Sequence, residues 1–223
     1  MTADTAHARL AGLAYLGTII CGVYAEGFAR GALFVSGNAA ATAQAIFASE
    51  PLFRVGLIAD LIMLGSYIAV TILLYGLCRK TSPSGAAIAA AFSLIGIAVL
   101  ASNTLLLGIV LRMRDLVQSQ PSLAETVYLL LRVHGDGYKI SLVFFGTYCL
   151  LLSWLIWRGR LVPVAVGIMV GAAGACNIIN SLAWLGAPQW AAHLPLYFTV
   201  PTLLGELALA LWLLLFGIRA GGA

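Results

Sequence analysis

Charge is what this chain has least of. Only 9% of its 223 residues are Asp, Glu, Lys or Arg, and eight of them are acidic. With 62% hydrophobic residues and a mean hydropathy of +1.02, the chain has more apolar surface than a soluble fold of this length can bury. A soluble enzyme or binding module is thereby excluded, and one polytopic membrane domain over residues 1–223 is expected. The net charge of +4 comes without a basic cluster interleaved with exposed aromatics, so no nucleic-acid partner is expected. Four cysteines, Cys21, Cys78, Cys149 and Cys176, fall in or at the ends of apolar runs without zinc-like or redox spacing, and are read as small packing residues. No Ser/His/Asp order resembles a hydrolase and no glycine loop resembles a phosphate cradle.

What the chain does have is long apolar runs. A span needs about 20 largely apolar residues, and the stretches that qualify are Leu10–Phe28, Leu52–Leu77, Ala86–Leu111, Tyr138–Trp157, Val164–Leu185 and Tyr197–Gly217. The fold class is therefore all-α, a transmembrane bundle of about six spans. The first run is too long for a signal-peptide core and is read as a retained span. The second and fourth connections are short polar turns, Arg79–Ser84 and Arg158–Pro163. The odd-numbered ones are longer: Ala39–Ser49 predicts a short interfacial helix after the first span, stopped by Pro51, and residues 123–133 predict a helix that continues, kinked at Gly135 and Gly137, into the fourth span. Gly167 and Gly171 have a small-residue spacing suited to helix packing. Basic residues divide evenly between the two sides. Both termini are placed in the cytoplasm because the basic residues on that side stand almost free of acids.

Seven of the acids, Glu26, Glu50, Asp60, Asp115, Glu125, Asp136 and Glu206, fall on the odd-loop side, and Glu26, Asp60 and Glu206 lie within apolar runs. A carboxylate at bilayer depth costs about 2.5–3.5 kcal/mol or more, so it faces a partner, the bundle interior or a watery cavity. Glu26 lies on one stripe with Thr18 and Gly22; Asp60 shares a face with Tyr67; Asn177, Asn180, Ser181 and Trp184 share another; and Thr199, Thr202 and Glu206 a third. With Asn103 these define an expected pocket between helices, open toward the odd-loop side. The alternative is simple pairing, Glu26 with Arg30 and Asp60 with Arg54 or Lys139. A weak internal correspondence, in which Arg79 aligns with Arg158, sets Asp60 level with Lys139 and predicts a charge pair between them that leaves Glu26 and Glu206 free to carry a proton.

His134-Gly135-Asp136-Gly137-Tyr138-Lys139 is the densest chemical string. His134 and Asp136 diverge on a regular helix but converge in a glycine-loosened turn. With Asp60 or Glu26 and His193 they would make a metal set, yet no recognised ligand spacing joins them, so neither metal nor cofactor is expected.

Ala11-Gly12 with Tyr15, Ala40-Ala41-Thr42-Ala43, Leu52-Phe53-Arg54 followed by Asp60-Leu61, Gly137-Tyr138 leading to Phe144-Phe145-Gly146, and Gly205-Glu206-Leu207 with Trp212 together resemble the bacterial membrane proteins grouped as the domain-of-unknown-function 4386 family, over most of the chain. The resemblance implies a multi-span helical fold in the bacterial cytoplasmic membrane and points to Arg54, Asp60, Tyr138 and Glu206 without naming a reaction.

Two functions fit these residues. The first is a membrane enzyme acting on a lipophilic small molecule, with an isoprenoid cyclase or isomerase as its concrete form. Glu206 or Asp60 would be the acid and Glu26 or His134 the counter-base, with Asp136 a further acid/base candidate, and Tyr67, Tyr138, Phe144, Trp184 and Trp190 would stabilise a cation. The second is a proton-linked transporter or lipid-binding protein using the same acids. Arg54, Asn103, Lys139, Asn177 and Asn180 are expected to contact the ligand in either case, and membrane lipid is the expected surrounding partner.

Overall fold

Proline, polar caps and left-handed residues set the helix boundaries. The computed structural model describes residues 3–186 and 195–218, and no strand occurs among them. Asn38 accepts a hydrogen bond from the Ala41 N–H at 2.9 Å and Ser82 one from the Gly85 N–H at 3.2 Å, each supplying an acceptor to a helix start that has none of its own. Pro51 and Pro83 sit in first turns, where the missing N–H costs nothing. Arg160, at φ 50°, and Gly217, at φ 73°, close two helices in the left-handed region.

Six helices are long and apolar enough to cross a membrane. The first span is α1 (Ala3–Gly22), a π-helical segment (Val23–Arg30) and a last turn α2 (Gly31–Leu33). The interfacial helix is α3 (Ala39–Ala48), followed by α4 (Glu50–Cys78) and α5 (Pro83–Arg112). A short α6 (Arg114–Ser119) leads to α7 (Ala124–Gly159), then α8 (Val164–Gly186) and α9 (Pro195–Phe216). Each span packs on its neighbours in the chain, and α9 returns to α1, so α1, α4, α5, α7, α8 and α9 form a closed ring.

Small residues let the ring close tightly. A Cβ on Gly146 of α7 would lie 2.6 Å from Gly174 O of α8, and one on Gly174 equally close to Gly146 O, so two backbones touch there. Gly167 and Gly171 face Ile156 and Ser153 of α7, and Ser153 Oγ donates to Gly167 O at 2.7 Å. The expected packing role of that glycine pair is what the structure shows. Toward the even-loop end the interior is filled by Val70, Leu74, Leu77, Leu152, Leu155, Leu209 and Leu213.

The expected continuation into the fourth span is present: α7 runs 36 residues from Ala124 to Gly159, through Gly135 and Gly137. At about 1.5 Å per residue it outreaches the ~30 Å hydrocarbon core, so its first turns project at the odd-loop end. Gly137 is there for space: a Cβ on it would strike the Asn103 amide of α5.

Candidate functional site

The π segment builds the first wall. Ala25 and Ala29 are fully buried, and a Cβ on Gly56 of α4 would lie 2.9 Å from Ala29 Cβ, so the first span lies almost on the α4 backbone. Asp60, one turn beyond Gly56, is thereby set beside Arg30. Arg30 Nη1 and Nη2 donate to Asp60 Oδ2 and Oδ1 at 2.5 and 2.9 Å, and Arg30 Nε donates to Glu26 Oε2 at 2.8 Å. The Arg30 and Asp60 side chains are only 10% and 5% exposed, against 45% for Glu26. One guanidinium thus holds two carboxylates, the bidentate arrangement for which its planar fork is suited.

This overturns the expected Asp60–Lys139 pair. Both Asp60 oxygens are taken by Arg30, and Arg54, the other expected partner, is exposed and bound to Glu50 at 2.7 Å. The expected tie between Glu26 and Arg30 is present, so Glu26 is not a free acid. Lys139 turns to α8, with its ammonium 3.3 Å from the centre of the Trp184 ring and 3.8 Å from Asp136 Oδ1. Trp184 Nε1–H donates to Asp136 Oδ1 at 2.9 Å.

His134 and Asp136 diverge, as residues two apart on a helix must. Asp136 faces α8, whereas His134, 2% exposed, faces α5. Asn103 Nδ2 donates to His134 O at 2.7 Å and lies 3.1 Å from His134 Nδ1, and Nε2 has no partner among the described residues. If the second amide proton goes to Nδ1, Nε2 carries the ring proton.

These groups surround a cavity of about 450 Å³. Its lining combines the polar side chains of Glu26, Arg30, Arg132, His134, Asp136 and Lys139 with the apolar ones of Leu33, Phe34, Ile46, Phe53, Leu131 and Trp184. A strap borders it: Phe34 stacks on Tyr128 with centroids 5.1 Å apart, and the Gly37 N–H donates to Tyr128 Oη at 2.8 Å. The helix α3 rests on α7 through the cluster of Ala43, Ile46, Phe53 and Val127.

The other expected site residues stand apart from this cavity. Arg54 points away from it. Tyr67 packs edge-on against Phe145, and Tyr138 packs between Met63, Leu64, Ile97 and Leu100. Asn177 accepts from Thr202 Oγ1 at 3.3 Å, and Asn180 is half-buried on the same helix. Glu206 lies deeper, on α9. Trp190 and His193 lie outside the described residues. Among the described residues no three His, Cys, Asp or Glu side chains gather as a metal site. Sequence reasoning missed Arg132, Tyr128, Phe34 and the Arg30 bridge to Asp60; for the last, Arg30 at the end of an apolar run, four residues after Glu26, was the available signal.

Fold and cavity define a multi-pass helical membrane protein with an amphipathic pocket at one end of its bundle. The chain belongs to the family described as Domain of unknown function (DUF4386), whose model matches residues 10–217. No curated protein and no solved structure matches it.

Proposed function

We propose that this protein binds a lipophilic small molecule with a polar end, taken up from the bacterial cytoplasmic membrane into the cavity between the end of the first span, α3, α4, α7 and α8. The observation that carries this reading is the mixed lining, which joins Glu26, Arg30, Arg132, His134, Asp136 and Lys139 to the apolar Leu33, Phe34, Ile46, Phe53 and Leu131 in one cavity. A volume near 450 Å³ falls in the range of small-molecule sites. The filled apolar interior toward the even-loop end favours binding from one side over passage through the bundle.

Gly135 provides the test, because it lines the cavity and a Cβ there meets nothing within 4 Å. Gly135→Phe starts from an open Cβ position and places a ring in the space a ligand would use. Native mass spectrometry and solvent extraction of the purified protein should show an organic molecule retained by the wild type and lost from Gly135→Phe. The same complement from both proteins would sink the reading.

Acid/base catalysis on such a molecule, including isoprenoid isomerisation or cyclisation, is a second reading. It is favoured by His134 and Glu26, which line the same cavity: Arg30 takes Oε2 of the half-exposed Glu26 but both oxygens of Asp60. Turnover of an unsaturated or epoxidised isoprenoid that is abolished in Glu26→Gln would establish it; no turnover across such a panel would remove it.

A further inference from the structure

Two cations line the pocket without being used to hold it together. Arg132 and Lys139 lie seven residues apart on α7, so they share one face about two turns apart, and both line the cavity with Gly135 between them. A Cβ on Gly135 would meet nothing within 4 Å, so the helix face between the two side chains is bare. Arg132 is exposed and has no hydrogen bond or ion pair among the described residues. Lys139 holds its ammonium 3.3 Å from the centre of the Trp184 ring, and the carboxylate oxygen it faces, Asp136 Oδ1, is 3.8 Å away, beyond hydrogen-bonding distance.

The acids beside these cations are already supplied with donors. Arg30 donates to Glu26 and to both oxygens of Asp60, and Trp184 donates to Asp136. Arg30, Arg132 and Lys139 are matched in number by Glu26, Asp60 and Asp136, so the pocket's preference follows from which groups remain unbonded rather than from net charge. Each carboxylate has a donor, whereas Arg132 has no acceptor and Lys139 has none within hydrogen-bonding distance among the described residues. A guanidinium and an ammonium carry donors alone, so together they call for an acceptor.

Depth limits what brings that acceptor. The exposed Trp157 and Arg158, in the last turns of α7, mark the even-loop interface. At ~1.5 Å per residue, Lys139 lies about 28 Å and Arg132 about 39 Å from Arg158 along the helix. The two therefore bracket the step from a hydrocarbon core ~30 Å thick into the opposite headgroup layer. Phe34, Ile46, Phe53 and Leu131 in the same cavity offer an apolar chain its contacts.

We propose that the pocket selects an amphiphile whose head is an oxyanion, a carboxylate or a phosphate, bound between Arg132 and Lys139 with its apolar chain against Phe34, Ile46 and Phe53. This rests on the reading that the cavity holds a lipophilic molecule, and adds the charge of its head. The guanidinium offers a carboxylate or phosphate two parallel hydrogen bonds, and the ammonium acts on the same group as a point charge. A fatty acid and a phosphorylated lipid present this chemistry alike.

The test measures dissociation constants for the full-length protein in an uncharged detergent at mildly alkaline pH. The probes are oleate, oleoyl lysophosphatidic acid, monooleoylglycerol, oleylamine and inorganic phosphate. Oleate or the lysophosphatidic acid should bind roughly tenfold or more tightly than monooleoylglycerol and oleylamine, and the tighter of the two identifies a fatty acid or a phosphorylated lipid as the source. Arg132→Gln and Lys139→Gln should each reduce the preference for the anion over monooleoylglycerol by a similar factor, and Arg54→Gln, away from the cavity, should leave it unchanged. Substituting Arg132 removes no bond among the described residues, which keeps the test decisive even if Lys139→Gln fails to fold. Monooleoylglycerol or oleylamine bound as tightly as the anions, or an unchanged preference in either folded variant, overturns the proposal and leaves the pocket reading in place. Inorganic phosphate bound as tightly as the lysophosphatidic acid also overturns it, because the chain would then contribute nothing. If no amphiphile binds and Gly135→Phe changes nothing, the pocket reading falls and this proposal with it.

Discussion

Removing Arg30 should destabilise the protein more than removing either acid it holds. Arg30→Met leaves the Asp60 carboxylate, 5% exposed, without its two hydrogen bonds and without a counter-charge, whereas Glu26, 45% exposed, can be solvated. Breaking one side of a buried pair costs about 3–5 kcal/mol, and that is the loss expected for Arg30→Met. Asp60→Asn keeps the shape and leaves Arg30 paired with Glu26, so its loss should be nearer the ~1.5–3 kcal/mol of hydrogen bonds to a charged group. Glu26→Gln removes only the exposed arm and should cost about 1 kcal/mol or less. The decisive variant is Arg30→Met with Asp60→Asn. It removes the stranded charge, so it should be more stable than Arg30→Met alone. Reversible unfolding in mixed micelles, followed by circular dichroism as SDS is added, measures all four. Losses that simply add in the double variant, or a Lys139→Met variant as unstable as Arg30→Met, would refute the reasoning and restore Lys139 as the partner of Asp60.

Other consequences concern the ring and the strap. Gly146→Ala drives a methyl group into the Gly174 carbonyl and Ile178 and should cost about 1–3 kcal/mol, while Gly65→Ala, with nothing within 4 Å of its Cβ, should change the unfolding midpoint little. Tyr128→Phe removes the acceptor for the Gly37 N–H, a loss of about 0.5–1.5 kcal/mol, and should speed hydrogen–deuterium exchange in residues 34–38 before any global change. Asn103→Ala removes the amide that bonds His134 and should reduce retention of the pocket's ligand more than Asn180→Ala, measured by the same native mass spectrometry.

How much of this was legible in the sequence follows from the range of each interaction. The spans, the interfacial helix and the side of the bundle on which the acids gather depend on runs of about 20 apolar residues and on spacings along one helix, both local properties. Those were determined by the sequence. Glu26 with Arg30 belongs to the same class, four residues apart on one helix.

What the sequence did not determine was the partner across the bundle. For Asp60 the sequence suggested Arg54 or Lys139, and the partner it takes, Arg30, depended on two things without a local signature. One was the π turn at Val23–Arg30, which sets the direction in which Arg30 leaves its helix; the other was the close contact of Ala29 on Gly56, which brings that helix to Asp60. The cavity has the same origin, because its lining comes from elements far apart in the chain, with Phe34 stacked on Tyr128 and Lys139 laid over Trp184. Charged groups in a low-dielectric bundle take the nearest opposite charge that geometry permits. The tertiary structure decided which charge was nearest, because helix spacing and rotation are set by where small residues allow two backbones to meet.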